Sequence, residues 1–308
     1  MFIAQKSKLF SSALTLALSL PLVTGLAPCQ TQAKTKATTV YVLESVNVKY
    51  DHDDSSINTK LTYNKNGSAK KIISDIIRNE PVKAPDNTNV ISEENKTNPP
   101  EIKKVEYKRK TYLAYKKNGK LSTVTSYKGK AKARLMKFEY KKKSGLMKGI
   151  EMKDYDDQHP MQSNYVSITK RDKKNRITGF KTLSPDKKDV RSRFTIKYNK
   201  KGLQSKAVST IKIPKASTIT IKYNYDKHNN IKEVKGSVNQ SSTYKKGLLV
   251  KQKKSIKEPF GLITKSTITF KYKKITVSAS QAVAVEKQQW ALRNMDDYQS
   301  PVFDELIF

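Results

Sequence analysis

Apolar and polar residues alternate one by one in several segments, including FTIKY at 194–198, ITIKYNY at 219–225 and ITFKY at 268–272. Such period-two alternation of β-branched and aromatic residues is typical of strands with one buried face. The density of Thr, Ile and Tyr argues against helices here. We predict a shared buried side for Phe194, Ile196, Tyr198, Ile219, Ile221, Tyr223, Phe270 and Tyr272. The lysines between them, Lys197, Lys222 and Lys271, are expected to point outward.

Many of these strands end in one motif: a Tyr, three polar residues and a Gly or Asn. The copies are YNKNG at 63–67, YKKNG at 115–119, YNKKG at 198–202 and YDKHN at 225–229. YKKKSG at 140–145 is longer, YKKG at 244–247 is shorter, and RDKKN at 171–175 lacks the Tyr. Gly and Asn supply the positive φ of a tight reversal, so each copy predicts a β-hairpin. Turns are expected near Gly119, Gly145, Asn175, Gly202, Asn229 and Gly247, as an internal repeat of about 27 residues.

These elements divide the chain into five segments. They are a signal peptide (1–33), N-terminal strands with a first hairpin (38–78), a Pro- and Asn-rich linker or long loop (79–102), a hairpin array (103–278) and a helix with an acidic-apolar tail (279–308). The segment QAVAVEKQQWALRN predicts the helix, and we expect its Trp290 to be buried against the array. A sheet with one apolar face must be covered. The array can curl on itself or be covered by its flanks, and we favour an all-β, elongated, curved antiparallel meander partly covered by both flanks.

The segment YNYDKHNNI at 223–231 resembles the YD-type repeats of bacterial surface and RHS-like proteins. The positions that fit the repeat are Tyr223, Tyr225, Asp226, Asn230 and Ile231, whereas Asn229 stands where the family has Gly. Other copies keep the spacing but have Lys or Asn in place of the Asp. The resemblance covers roughly residues 103–250. It implies an extracellular array of β-hairpins with no enzymatic activity in the repeats.

The N-terminal segment predicts export. Lys6 and Lys8 precede an apolar stretch that Pro21 interrupts, and a small-residue cleavage site ends at Ala33. This order is typical of a secretory signal peptide, so we expect a secreted or extracellular protein, including one that associates with the cell surface. The only cysteine, Cys29, follows a Pro rather than a small residue, which favours cleavage over lipid attachment. Cleavage would leave no disulfide to stabilise the exported chain.

Little in the sequence points to catalysis, a metal or another cofactor. The chain has 3 His, and DHDD at 51–54 lacks the further oxygen ligands and the Gly of a calcium loop. Glu139, Glu151 and Asp154 are acids near apolar strand positions, and ion pairs with lysines explain them better than a glycosidase-like pair. We therefore predict a non-enzymatic protein without catalytic, cofactor-binding or metal-binding residues.

The charge indicates the class of partner. The chain has 62 Lys and Arg against 27 Asp and Glu, a net charge of +35. The predicted hairpin turns carry the candidate site, Lys116, Lys117, Lys141, Lys142, Lys143, Lys173, Lys174, Lys200, Lys201, Lys245 and Lys246. In an open sheet these turns would follow one edge, about 10 Å apart. Such a row attracts polyanions, so we predict a binding protein for an anionic cell-envelope polymer: teichoic acid, acidic glycan or extracellular DNA.

One alternative to polyanion binding remains open. The chain can be a structural or protein-interaction module of the envelope, docking a surface protein, in which the lysines serve solubility and protect sheet edges. High salt separates the two, because it weakens polyanion binding far more than protein docking. Stacking of single-stranded nucleic acid on tyrosines is disfavoured, because the tyrosines are predicted on the apolar face, away from the lysines.

Overall fold

The computed structural model describes residues 37–51, 53–81, 102–155, 164–211, 217–227, 231–236, 238–257 and 263–293. The first eight strands are β1 (Ala37–Tyr50), β2 (Ser56–Tyr63), β3 (Ala69–Pro81), β4 (Ile102–Tyr115), β5 (Leu121–Lys128), β6 (Ala131–Tyr140), β7 (Met147–Asp154) and β8 (Asn164–Arg171). The next eight are β9 (Ile177–Leu183), β10 (Val190–Tyr198), β11 (Gln204–Ile211), β12 (Ser217–Tyr225), β13 (Ile231–Lys235), β14 (Val238–Lys245), β15 (Leu248–Lys257) and β16 (Ile263–Ser278). Helix α1 (Ala279–Arg293) follows, as the sequence predicts.

The sixteen strands of the described residues form one closed antiparallel barrel. Each strand pairs with its neighbour in sequence, and β1 pairs with β16 from Ala37 opposite Ser278 to Tyr50 opposite Ser266. The prediction of an open, elongated meander of YD-type repeats is therefore wrong. Closure pairs the backbone groups that an open meander leaves unpaired at its two edges, and it buries the apolar face inside the barrel.

The predicted hairpin turns are confirmed where the structure describes them. Positive φ angles occur at Gly119 (78°), Gly145 (63°), Asn175 (61°), Gly202 (81°) and Gly247 (76°). The predicted turn at Asn229 lies outside the described residues. The described turns after β2, β4, β6, β8, β10 and β14 all follow even-numbered strands of an antiparallel barrel, so they lie at the same end of it. We call this end the hairpin rim.

The predicted phase of the alternation is also confirmed. Phe194, Ile196, Ile221, Tyr223 and Phe270 are buried, Tyr198 and Tyr272 are half-buried, and Lys197, Lys222 and Lys271 are exposed. The side chain of Ile219 lies outside the described residues. The main apolar cluster draws on β1 to β10, β15, β16 and α1, and its buried members are at most 7 % exposed. The inward face therefore holds a packed apolar core, together with buried polar side chains that include Thr59, Thr111, Gln252 and Lys254.

Tyrosines of the even-numbered strands tie each hairpin to the preceding one. Their hydroxyls donate to backbone carbonyls over 2.7–3.1 Å, in the pairs Tyr63–Leu43, Tyr115–Ala69, Tyr140–Leu121, Tyr198–Ile177, Tyr225–Gln204, Tyr244–Ile231 and Tyr272–Leu249. On β8, where the motif lacks its Tyr, the guanidinium of Arg171 donates to the carbonyl of Met147 at 2.9 Å. The eight groups form a ring around the barrel, just below the hairpin rim.

Helix α1 covers the barrel at this same end. Its Gln289 accepts a hydrogen bond from the backbone N–H of Leu43 (2.6 Å) and its Gln288 one from Ala69 (2.7 Å). Leu292 of the helix is fully buried in the main apolar cluster. The predicted burial of Trp290 concerns a side chain outside the described residues. Within the described part of the chain, no helix is long and apolar enough to span a membrane.

Candidate polyanion-binding surface

The eleven lysines that the sequence singles out are all exposed, in five turns of the hairpin rim. Because the sheet is closed, these turns follow the rim of a barrel rather than the predicted edge of an open, curved sheet. Lys116 places its ammonium 4.8 Å from the ring centre of Tyr140. The structure therefore keeps the predicted lysines at one end of the molecule but arranges them around it.

Two further rim lysines were missed by the sequence analysis. Lys65 in the β2–β3 turn and Lys227 after β12 are also exposed. Both lie within copies of the same Tyr-containing motif, YNKNG and YDKHN, so the motif spacing was sufficient to predict them as rim lysines. The basic rim therefore extends over seven consecutive hairpins, from β2–β3 to β14–β15, and it is interrupted where β16 continues into α1.

The tyrosines beneath the rim are neutral structural groups. Burial raises the pKa of Tyr115, Tyr140 and Tyr244 to about 12, and it raises the pKa of Tyr198 and Tyr225 as well. Their hydroxyls therefore stay protonated at physiological pH and keep donating to the backbone carbonyls. The tyrosine hydroxyls hold the hairpins together, and the lysines supply the positive charge of the rim.

A second basic feature lies on the outer wall, where Lys197, Lys206, Lys222 and Lys235 occupy directly opposed positions on β10, β11, β12 and β13. We call it the lysine row. Neighbouring strands are about 4.8 Å apart, so four cations follow one another at about that spacing at their Cα atoms. Lys197, Lys222 and Lys235 are exposed and Lys206 is half-buried. Like charges directly opposite each other destabilise a sheet.

The lysine row is almost without neutralising acids. Lys235 pairs with Glu233 at 3.3 Å. Lys197, Lys206 and Lys222 form no ion pair with any residue that the structure describes. The hydrogen bond from Asn224 and the charge of Lys235 hold the pKa of Glu233 below its ordinary value, so this single acid stays ionised. Three adjacent cations of the row therefore face solvent uncompensated.

The opposite situation holds on β3 to β7. There Lys108 lies 3.3 Å from Asp75, Lys137 lies 3.9 Å from Glu151, and each pair is directly opposed across two strands. Lys148 and Glu139 form another pair at 3.9 Å. The same barrel thus pairs three outer lysines with acids in one sector and opposes lysine to lysine in another. A uniform solubilising charge does not explain this difference.

The acids considered for catalysis have structural partners. Asp154 accepts a hydrogen bond from Arg134 at 2.8 Å, and Glu139 accepts one from the hydroxyl of Tyr165 at 2.7 Å. Glu151 pairs with Lys153 at 3.3 Å. Across the described ranges, no three His, Cys, Asp or Glu side chains are grouped so as to hold a metal ion. The basic surfaces are thus the chemically distinctive feature of the described residues.

Comparisons with known proteins give only remote similarities. No protein-family model matches the chain, and no curated protein matches it. A porin-like protein from Bacteroides uniformis is 9 % identical with a TM-score of 0.46, over 75 % of this chain and 98 % of that one. The TcdB2-TccC3-Cdc42 complex is 13 % identical with a TM-score of 0.28, over 69 % of this chain and 12 % of that one.

A third similar structure is the Tc holotoxin pore of Photorhabdus luminescens, 13 % identical with a TM-score of 0.27 over 71 % of this chain and 12 % of that one. The matches to toxin components are remote and partial, and they establish no family for this chain. All three TM-scores lie below 0.5, so no function is carried over from these structures.

Sequence reasoning missed the lysine row for a geometric reason. The alternation places Lys197 and Lys222 outward, but it does not reveal which residue lies opposite them. Lys206 falls between them because β11 pairs with both β10 and β12 in a particular register, with a bulge beside Tyr198. A row of this kind becomes visible only when the register of four strands is known.

Proposed function

We propose that this protein is a secreted, non-catalytic binding protein that holds an anionic polymer at the cell surface, in the class of teichoic acid, acidic glycan or extracellular DNA. The observation that carries the proposal is the lysine row, in which Lys197, Lys206 and Lys222 oppose one another without a neutralising acid. The lysines of the hairpin rim extend the same charge over one end of the barrel.

The electrostatics of the row favour a multivalent anion. Bringing like charges into direct opposition costs stability, and a bound polyanion removes that cost by placing negative charges between the ammonium groups. A polymer also releases the counterions of several charges at once, which gives affinity that falls linearly with the logarithm of salt concentration. The row is carried on a closed barrel, whose rigid wall loses little conformational entropy when the polymer binds.

The location in the proposal is supported by the N-terminal sequence and by the outer wall. Residues 1–33 have the order of a secretory signal peptide. The outer wall carries exposed lysines in the middle of strands, as at Lys197 and Lys222, whereas the main apolar cluster lies on the inward face. Lysines in such positions oppose insertion into a hydrocarbon layer. These observations support a barrel that lies in water beside the envelope polymer rather than across a membrane.

The proposal is tested with two variants of equal net charge. The first replaces Lys197, Lys206 and Lys222 of the lysine row with Gln. The control variant replaces Lys108, Lys137 and Lys148 with Gln, since these lysines pair with acids on β3 to β7. Binding of each purified chain to inorganic polyphosphate and to heparin is measured by isothermal titration calorimetry between 20 mM and 300 mM salt, and circular dichroism verifies the fold.

We expect the parent to bind both polymers at low salt. The row variant should bind more weakly, and its slope of log affinity against log salt should be shallower by about 2, since each contact contributes about 0.7 to 0.9. The control variant should keep nearly the parental slope. Equal losses in both variants would show that only the net charge matters. A parent that binds neither polymer would refute the proposed function and leave the lysines as a solubility device.

A further inference from the structure

The outer wall carries two tyrosines on β4 and β5 and a third directly after β7, contrary to the prediction that tyrosines lie on the apolar face. Tyr112 is 42 % exposed, Tyr155 is 43 % exposed and Tyr127 is half-buried. The rings of Tyr112 and Tyr127 meet edge to face, with centroids 5.9 Å apart and an interplanar angle of 84°. None of the three belongs to the hydrogen-bonded ring beneath the hairpin rim. Their exposed rings are apolar surface that the barrel does not use in its core.

Lysines are interleaved with these tyrosines. Lys71 is directly opposite Tyr112 and places its ammonium 5.2 Å from the ring centre. Tyr127 lies between Lys110 on β4 and Lys132 on β6, which are its direct cross-strand neighbours. The ammonium of Lys132 is 4.7 Å from the ring centre of Tyr155. Together these six residues form what we call the Tyr–Lys patch.

The Tyr–Lys patch retains its cations in a sector that otherwise neutralises them. Lys71, Lys110 and Lys132 form no ion pair with residues in the described part of the chain, whereas the next outward lysine of β4, Lys108, pairs with Asp75. Acids are thus placed beside the patch but not within it. Ammonium groups beside exposed aromatic faces are arranged to meet a ligand that has both a negative charge and an apolar ring face.

We propose that the Tyr–Lys patch binds sugar residues of an acidic glycan. The C–H face of a pyranose ring packs on an exposed tyrosine ring, its hydroxyls bond to the tyrosine hydroxyls, and its carboxylate or sulfate pairs with a neighbouring lysine. Tyrosine suits this task because its large amphipathic surface costs little conformational entropy to fix. The patch lies on β3 to β7, apart from the lysine row on β10 to β13.

The geometry favours a glycan over single-stranded nucleic acid. Successive bases stack on successive aromatic faces. Tyr112 and Tyr127 are nearly perpendicular, so the pair offers one face and one edge instead of two parallel platforms. A sugar residue has an apolar C–H face and hydroxyls around its perimeter. It can therefore pack on one tyrosine ring face and form hydrogen bonds at the polar edge of the other ring. The inference rests on the proposed function only in that the ligand is anionic. It adds that, among anionic polymers, this patch selects an acidic glycan.

The test compares three probes that differ in their rings: an unbranched uronic-acid oligosaccharide, inorganic polyphosphate and oligodeoxythymidylate. The variant Tyr112→Thr/Tyr127→Thr removes the stacking faces with residues that favour strands. The conservative control Tyr112→Phe/Tyr127→Phe keeps the faces and removes only the hydroxyls. Affinities are measured by calorimetry at one low salt concentration, and thermal unfolding verifies that each variant is folded.

We expect the Thr variant to bind the oligosaccharide about tenfold more weakly, with polyphosphate binding unchanged. The Phe variant, which loses only the hydroxyl hydrogen bonds, should bind the oligosaccharide more weakly than the parent but more tightly than the Thr variant. The lysine-row variant should lose affinity for polyphosphate, which keeps the two sites distinguishable. Unchanged oligosaccharide binding by the Thr variant, alongside parental polyphosphate binding, would overturn this inference and leave the proposed function standing. A larger loss for oligodeoxythymidylate than for the oligosaccharide would assign the patch to nucleic acid and overturn the glycan. A parent that binds no probe would overturn both.

Discussion

Replacing Lys222 with Glu should make the protein more stable while it weakens polymer binding. Lys222 lies directly opposite Lys206 on one side and Lys235 on the other, on an exposed wall. The substitution turns two repulsive cross-strand pairs into attractive ones. Each such pair contributes about 0.2 to 1 kcal/mol in an antiparallel sheet. Because Lys235 already pairs with Glu233, its gain is smaller, and we expect about 1 kcal/mol in total, at low salt.

The charge effect is separated from strand propensity by a second variant, Lys222→Gln, which removes both repulsions and adds no attraction. We expect the protein with Glu at position 222 to be the most stable, the one with Gln to be intermediate and the parent with Lys to be the least stable. Stability is measured as the free energy of unfolding in urea at 10 mM salt. In 1 M salt the Debye length falls to about 3 Å, so the differences should largely disappear. A stabilisation of about 1 kcal/mol corresponds to roughly 2 °C in Tm for a chain of this size.

The matched control reverses the sign. Lys108 lies opposite Asp75 at 3.3 Å, so Lys108→Glu replaces an attractive pair by a repulsive one and should destabilise the protein by about 0.5 kcal/mol. Both variants change the net charge by the same amount. If Lys222→Glu destabilised the protein as Lys108→Glu does, or if its effect were the same in 10 mM and 1 M salt, the lysine row would not be an electrostatically strained surface. Polyphosphate binding by Lys222→Glu should fall. This result would show that the parent keeps a destabilising lysine because that lysine contributes to binding.

Three further outcomes are expected. Arg171→Ala should lower the free energy of unfolding in urea by about 1 to 3 kcal/mol, because the buried carbonyl of Met147 loses a charged donor, and Arg171→Tyr should restore most of it. Stability should be full below pH about 10 and fall as pH rises toward 12. The reason is that folding raises the pKa of Tyr115 and Tyr140 from 10.0 to about 12, so the unfolded chain loses these protons first; thermal unfolding from pH 8 to 12 measures the effect. Gln288→Ala should cost about 1 to 3 kcal/mol, and hydrogen exchange should show faster opening of α1, because a buried backbone N–H loses its acceptor.

The sequence by itself determined the local structure of this protein. Alternation placed Phe194 and Ile196 inward and Lys197 outward, and the Tyr-containing motif placed the turns at Gly119 and Gly202. These features depend on neighbouring residues: successive side chains of a strand point to opposite faces, and only Gly or Asn adopts the required positive φ cheaply. The same rules predicted α1.

The outward position of Tyr112 was also within reach of the sequence. In TYLAY, the inward residues Leu113 and Tyr115 flank Ala114, so the alternation places Tyr112 and Ala114 on the outer face. Tyr127 is different, because its cross-strand neighbours follow from a bulge in which it faces Lys132 while Ser126 faces Arg134. Which lysines surround an outward tyrosine is therefore a matter of register.

Only the tertiary structure decided closure and the pattern of charge. The pairing of β1 with β16 joins residues at opposite ends of the barrel's sequence, and nothing in either strand alone specifies its partner. The lysine row likewise depends on the registers of four strands, since Lys206 and Lys222 are unremarkable until they are placed opposite each other. Alternation records which face is buried, whereas cross-strand neighbours are set by hydrogen-bond register, bulges and the number of strands that close the barrel.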